Sequence, residues 1–197
     1  MSEQVNDWLA RARKGDDEAF ALLVETYQKP VYNLCYRMLG DAQEAEDAAQ
    51  ECFWRAYRAL HRYDPQRSFI TWLLSIAAHY CIDQQRRRRL PIYSIDLISE
   101  EIVPDNAPSP ETSATQSEQD RMLHQLMSAM KPLDRAALVL RYWYDLSDQE
   151  ISQVLSTSVS AVKSRLHRAR LSLAENWRIT QSEMFNEEIE KYETPAL

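Results

Sequence analysis

The sequence predicts an all-α protein of two small helical domains joined by a flexible acidic linker. Three observations predict it. Apolar residues recur at steps of three and four through most of the chain, the stripe of helices with one buried face. Only Gly15 and Gly40 are glycine in 197 residues, too few for the tight turns of a sandwich or barrel. Residues 90–117 alone lose the periodicity, with Pro104, Pro108 and Pro110 set among Ser, Thr, Asp and Glu.

The elements follow in order. Residues 16–39 read as a helix capped by Asp16, with Phe20, Leu23, Val24, Tyr27, Val31, Leu34, Cys35 and Met38 on one side. Pro30 lies inside that stripe and predicts a kink or short break. Gly40 ends the helix and Asp41 caps the next, residues 42–60, whose inward face is Ala45, Ala48, Ala49, Cys52, Phe53, Ala56, Tyr57 and Leu60. Glu44, Glu46 and Asp47 suit the positive end of its dipole. A loop around Tyr63-Asp64-Pro65 leads to a third helix, residues 69–88. Helix resumes near Glu118, and Pro132 opens another. Ser147-Asp148-Gln149-Glu150 forms a capping box for a helix ending near Leu155. Ser156-Thr157-Ser158 then makes a three-residue turn, with Ser158 capping a helix that buries Val159, Val162, Leu166, Ala169 and Leu173. Two short helices around a tight turn, the second with a basic outer face, read as a helix-turn-helix.

Composition narrows the function. The 45% apolar content suffices for packed cores. The chain has no G-x-G or Walker-type loop, no metal-ligand spacing and no nucleophile motif, which argues against an enzyme and against any cofactor. Cys35, Cys52 and Cys81 are odd in number, widely spaced and on helical faces, as expected of reduced core thiols. The polar, acidic start is unlike a signal peptide, and no apolar run is long enough to span a membrane, so the sequence predicts a cytoplasmic protein. The net charge of −7 hides its distribution: residues 96–117 carry five acids and no base, and residues 179–197 five acids and one base. Bases bunch at residues 86–89 and 163–170, and local field matters more than net charge for steering onto DNA.

Three surfaces carry chemistry. On the last helix Ser160, Lys163, Ser164, His167 and Arg168 point away from the buried stripe, and no acid lies between Val159 and Leu173. Those side chains can reach base edges in a major groove, while Arg165 and Arg170 can reach phosphates. On residues 42–60, Asp47, Gln50, Glu51 and Trp54 share the outer face; acids beside an exposed tryptophan suit a protein partner, whereas a Trp54 bent back into the core would leave a solvated face. Along residues 63–89 aromatic and basic groups interleave, as single-stranded or unstacked bases require, although the spacing of Phe69 and Trp72 already places them in a core.

Together these stretches resemble the extracytoplasmic-function (ECF) sigma factors of the sigma-70 family. Residues 41–53 (DAQEAEDAAQECF) are similar to the family's clamp-binding helix, residues 69–77 (FITWLLSIA) through Asp83 and the arginines to its −10 segment, and residues 142–151 with 162–170 (VKSRLHRAR) to its −35 helix-turn-helix. The resemblance covers about residues 8–178 and implies a non-catalytic factor that binds core RNA polymerase and directs it to promoter DNA. It implies a sigma-2-like domain over 1–92, an acidic linker over 93–117 that threads toward the polymerase active-site channel, a sigma-4-like domain over 118–178 and an acidic tail over 179–197, either a short helix or an irregular end. By resemblance Asp47, Gln50, Glu51 and Trp54 dock on the polymerase clamp. Tyr63, Asp64, Arg67 and Ser68 hold a flipped base of the −10 element, and His79, Asp83, Arg86 and Arg87 contact the same element. Ser160, Lys163, Ser164, Arg165, His167 and Arg168 engage the −35 element. An anti-sigma factor is the implied inhibitor. The family usually has Asn where His79 stands and often Gly where Ser156 stands.

The implied mechanism divides the labour. Each domain binds DNA weakly, and polymerase holds both at the spacing of the two elements, which raises effective concentration. Two other readings compete: a stand-alone helix-turn-helix regulator, which leaves the first domain unexplained, and an adaptor that binds polymerase without initiating.

Overall fold

The computed structural model describes residues 3–89 and 114–193, with side chains over 3–88 and 121–182; the acidic linker falls mostly outside the described residues. Every described element is helical: α1 (Glu3–Ala12), α2 (Asp17–Leu39), α3 (Ala42–Ala59), a 3-10 turn (Leu60–Arg62), α4 (Phe69–Arg89), α5 (Ala114–Ser128), α6 (Pro132–Trp143), α7 (Asp148–Val154) and α8 (Val159–Glu193).

Local chemistry sets the joints of the first half. Asp16 accepts a hydrogen bond from the Ala19 amide at 3.0 Å and starts α2. Gly40 ends it at φ 88°, a left-handed conformation that glycine adopts without steric cost. Asp41 then accepts from the Glu44 amide at 2.8 Å, so the chain turns back at once into α3. The inward stripes of α2, α3 and α4 meet in one core, where Leu23, Leu34, Met38, Phe69, Leu73 and Leu74 are almost wholly buried. Burying each such side chain stabilises the fold by about 1.5–3 kcal/mol. Cys35, Cys52 and Cys81 are buried and free. The neighbouring Cys35 thiol and burial together push the Cys52 thiol far above its ordinary range, which makes it unreactive.

The second half packs α6, α7 and α8 together, and Asn176 Nδ2 on α8 donates to the Leu126 carbonyl on α5 at 2.7 Å. The two halves also touch. Arg135 Nε on α6 donates to the Arg37 carbonyl at 2.8 Å, and the Tyr144 hydroxyl donates to the Pro30 carbonyl at 2.5 Å. Arg37 lies 4.4 Å from the Trp143 ring centroid, and Tyr36 meets His124 edge-on at 4.5 Å. Burial pushes the Tyr144 hydroxyl well above its usual range.

Four features depart from the sequence expectation. Pro30 does not interrupt α2, which runs through it for 23 residues. An additional helix, α1, packs Val5, Leu9 and Ala12 onto α2. Helix α5 begins at Ala114, four residues before the expected start. The tail is no separate element, because α8 continues unbroken for 35 residues to Glu193.

Candidate nucleic-acid and protein interfaces

The outer face of α3 presents Asp47, Gln50 and Trp54 to solvent, with Glu51 partly covered and paired to Arg55 at 2.7 Å. The alternatives for Trp54 are resolved: it is 56% exposed and stacks on Tyr57, ring centroids 6.1 Å apart. Tyr57, expected on the inward face, is exposed instead; its hydroxyl donates to Asp17 at 2.6 Å, which holds the pair against α2. Between α2 and α3 this leaves an open groove of about 940 Å³, floored by Phe20, Val24 and Phe53 and rimmed by Tyr32, Trp54 and Tyr57. An exposed apolar groove with acids along its margin is the form of a protein-docking surface rather than a nucleic-acid one.

The loop before α4 is built from beneath. Tyr63, expected at the DNA surface, is instead only 2% exposed. Its ring lies against Phe69 (5.4 Å) and Trp72 (5.2 Å), and its hydroxyl donates to the Arg67 carbonyl at 2.5 Å. The sequence shows it as an aromatic in a loop; the packing turns it into the loop's internal post. Asp64 accepts from the Gln66 amide at 3.0 Å, closing a side-chain turn, and Asp64, Arg67 and Ser68 are all exposed. Along α4, His79, Asp83, Arg86 and Arg87 stand at i, i+4, i+7 and i+8 and are all exposed, so they share a face. His79 Nδ1 lies 2.8 Å from the Ser75 carbonyl, Arg86 pairs with Asp83 at 3.7 Å, and Arg88 pairs with Glu44 of α3. The loop lies under the second half: Arg67, Ser68 and Trp72 face Glu150, Gln153 and Val154 of α7 across a narrow cleft.

The helix-turn-helix is locally well determined. The Glu150 amide donates to Ser147 Oγ at 3.2 Å and the Ser147 amide to Glu150 Oε2 at 2.8 Å, the reciprocal capping box. The Ser147 hydroxyl and amide hold the Glu150 carboxyl below its usual range. Ser156 makes the turn at φ 49°, where a non-glycine residue is strained. Ser158 Oγ accepts from the Ala161 amide at 3.2 Å and starts α8. Ser160, Lys163, Ser164, His167 and Arg168 are exposed as expected, but two arginines are not loose. Arg165 and Arg168 both reach the buried Asp134 of α6, with Arg165 Nη1 at 3.1 Å and Arg168 Nε at 3.0 Å. Asp134 belongs to no motif in the sequence. Its signal was an acid in the first turn of an amphipathic helix, which alone reads as a dipole partner.

Among the described residues no helix is long and apolar enough to cross a membrane, and no group of three or more His, Cys, Asp or Glu could hold a metal ion.

Comparison with known proteins agrees with this geometry. Residues 23–90 match the sigma-70 region 2 family and residues 120–173 the sigma-70 region 4 family. The chain is 36% identical over 187 residues to the ECF RNA polymerase sigma factor SigW of Bacillus subtilis, covering 90% of this chain and 99% of that protein. It is 37% identical over 175 residues to the RNA polymerase sigma-H factor of Pseudomonas aeruginosa, covering 85% and 91%. A solved structure of CnrH in complex with the cytosolic domain of CnrY shares the fold, with a TM-score of 0.67 at 22% identity over 90% of this chain and 99% of that one. A second, the sigma factor RpoE of Bartonella quintana in complex with the anti-sigma factor NepR, has a TM-score of 0.59 at 16% identity, over 81% and 97%. With both conserved regions in order and near-full-length relatives above 30% identity, the chain belongs to the ECF sigma factors of the sigma-70 family.

Proposed function

We propose that this chain binds core RNA polymerase through the exposed face of α3 and directs transcription initiation in the cytoplasm by reading a −10 and a −35 promoter element. One observation carries the reading. A single chain holds a protein-docking face, an exposed loop on a helix ending in arginines, and a helix-turn-helix with a basic outer face. In this division Asp47, Gln50, Glu51 and Trp54 meet the polymerase. Asp64, Arg67 and Ser68 form the mouth that receives an unstacked −10 base, shaped from inside by Tyr63, while His79, Asp83, Arg86 and Arg87 follow the same strand. Flipping a base costs a few kcal/mol, and captured contacts in the loop offset it. Ser160, Lys163, Ser164, His167 and Arg168 face the −35 duplex, and Arg165 supports them from the α6 side.

The functional modules are 1–92 and 118–178, although α8 runs past residue 178 without a joint. An anti-sigma factor that seats an apolar segment in the groove between α2 and α3 would occupy the polymerase-docking face; the fold neighbour captured with its anti-sigma factor supports such a partner.

Run-off transcription with purified core polymerase tests the reading. A discrete transcript that depends on both promoter elements is the expected result. Tight sequence-specific binding of the isolated chain to duplex DNA without polymerase would favour a stand-alone regulator. Association with core polymerase but no transcript would favour an adaptor.

A further inference from the structure

We propose that Asp134 is a specificity-determining positioning residue: it grips Arg168 from the side and aims the end of that guanidinium at a guanine in the −35 duplex. The inference rests on the −35 reading of α8. Asp134 sits in the first turn of α6, 4% exposed. Arg168 Nε donates to its Oδ2 at 3.0 Å and Arg168 Nη2 to its Oδ1 at 3.1 Å, while Arg165 Nη1 donates to Oδ1 at 3.1 Å. An arginine is charged in any case, and hydrogen bonding to the Asp134 carboxylate raises the Arg168 pKa further.

The way Arg168 is held matters more than that it is held. A guanidinium carries five N–H donors in a rigid plane. The grip through Nε and Nη2 uses one hydrogen of each along the side of the fork. It leaves the far edge, the second Nη2 hydrogen and those of Nη1, for another acceptor. That end-on pair is the one that reaches guanine O6 and N7 in a major groove. The Arg168 side chain is 49% exposed, so its far edge meets solvent while its near edge is tethered to a buried acid. Arg165, at 23% side-chain exposure, already ties α8 to α6 through the same carboxylate. A purely structural link would need no second, half-exposed arginine. Two guanidiniums on one carboxylate also leave the cluster positive, so the buried acid does not repel phosphate. Holding the fork before DNA arrives removes part of the rotamer entropy that binding would otherwise cost.

The test uses the full chain with core polymerase, transcribing a library in which each −35 position carries every base. The wild type is expected to prefer guanine at one position, and Arg168→Ala to lose that preference. Asp134→Asn replaces one acceptor oxygen with an amide that opposes the guanidinium. It should lower the same guanine preference by about tenfold, within the range a bidentate base contact contributes, and leave other positions unchanged. In the Arg168→Ala background Asp134→Asn should lower the guanine preference no further. Arg168→Lys, on a half-exposed site that tolerates substitution, keeps the charge but cannot be gripped at the side and read at the end. It should lose the preference as well, and so tests the idea even if Asp134→Asn unfolds. A uniform loss of activity at every base from Asp134→Asn, or an equal loss when Arg168 is already Ala, would overturn the proposal and leave Asp134 a helix tie. A wild type that initiates with no −35 preference at any position would overturn the −35 reading itself, before any variant is made.

Discussion

The two surfaces assigned to DNA are prepared to different degrees. On α8 the recognition face is fixed in advance, by the capping box at Ser147, the cap at Ser158 and the buried Asp134 beneath two arginines. On the α4 side the loop rests on a buried tyrosine, while Asp64, Arg67 and Ser68 are exposed and joined only by short-range bonds to their neighbours. Duplex DNA is a rigid partner whose base edges stand at known places, so a rigid reader suits it. A melted strand has no fixed shape before capture, so a loop with a firm floor and adaptable lips suits it.

The largest expected effect would test the floor. Tyr63→Ala removes a buried ring from between Phe69 and Trp72 and should destabilise the first half by about 3 kcal/mol or more in chemical unfolding. Tyr63→Phe should cost only about 1 kcal/mol, the bond to the Arg67 carbonyl. If Tyr63→Ala instead left stability untouched and impaired only promoter melting, the tyrosine would be a base platform and the contrast would fail. Next, Trp54→Ala should weaken association with core polymerase by about 2 kcal/mol with little change in unfolding, as an exposed aromatic anchor does. An undiminished affinity in a pull-down titration would move the docking face off α3.

The rigidity of the second half can be measured through its cap. Ser147→Ala should cost about 1 kcal/mol, and the pH dependence of that loss identifies its source. The Glu150 pKa is lowered in the folded state by Ser147, so its contribution is present above the unfolded carboxylate value near about 4.3 and disappears as pH falls through the folded value. Denaturation series at neutral and acid pH should therefore show a smaller gap between wild type and variant at the acid end, the remainder being the Ser147 Oγ bond to the Glu150 amide, which does not titrate. Ser156→Gly works the other way. Relieving a left-handed serine should raise stability by about 0.5–1 kcal/mol, read as a higher denaturation midpoint. The smallest effect concerns the contact between the halves. Tyr144→Phe loses one hydrogen bond to the Pro30 carbonyl, worth about 1 kcal/mol or less, and should speed amide exchange at the seam between α2 and α6.

Much of this was legible in the residues because helical caps and stripes are local. Asp16, Asp41, Ser147 and Ser158 each act within three residues, and each cap lies where the sequence places it. The face on α3 was legible as a pattern, but the exposure of Trp54 depends on Tyr57 and its bond to Asp17, a contact 40 residues away. Tyr63 was misplaced for the same reason: its burial comes from Phe69 and Trp72 on the following helix. Asp134 lies 31 and 34 residues from its arginines, and no spacing rule reaches that far. Pro30 does not break α2: the helix continues on both sides of it, held by the side chains that α2 buries before and after the proline, Leu23 and Leu34 among them. The tail's reading stays open between a short helix and an irregular end because Phe185, Ile189 and Tyr192 make only a short apolar stripe among acids, and nothing local shows that it continues the preceding helix.

The cleft between the loop at residues 64–68 and α7 has a consequence for promoter occupancy. Elements named for positions 25 base pairs apart lie roughly 85 Å from one another along B-form DNA, whereas here the loop before α4 lies against α7, the helix next to the proposed −35 reader. On the proposed assignments, docking between the halves and simultaneous engagement of both elements exclude one another, and the apparent Kd is the intrinsic Kd divided by the fraction of separated molecules. On those assignments, the side chains that join the halves, Tyr144 and Arg135 among them, set the fraction of molecules ready to span both elements.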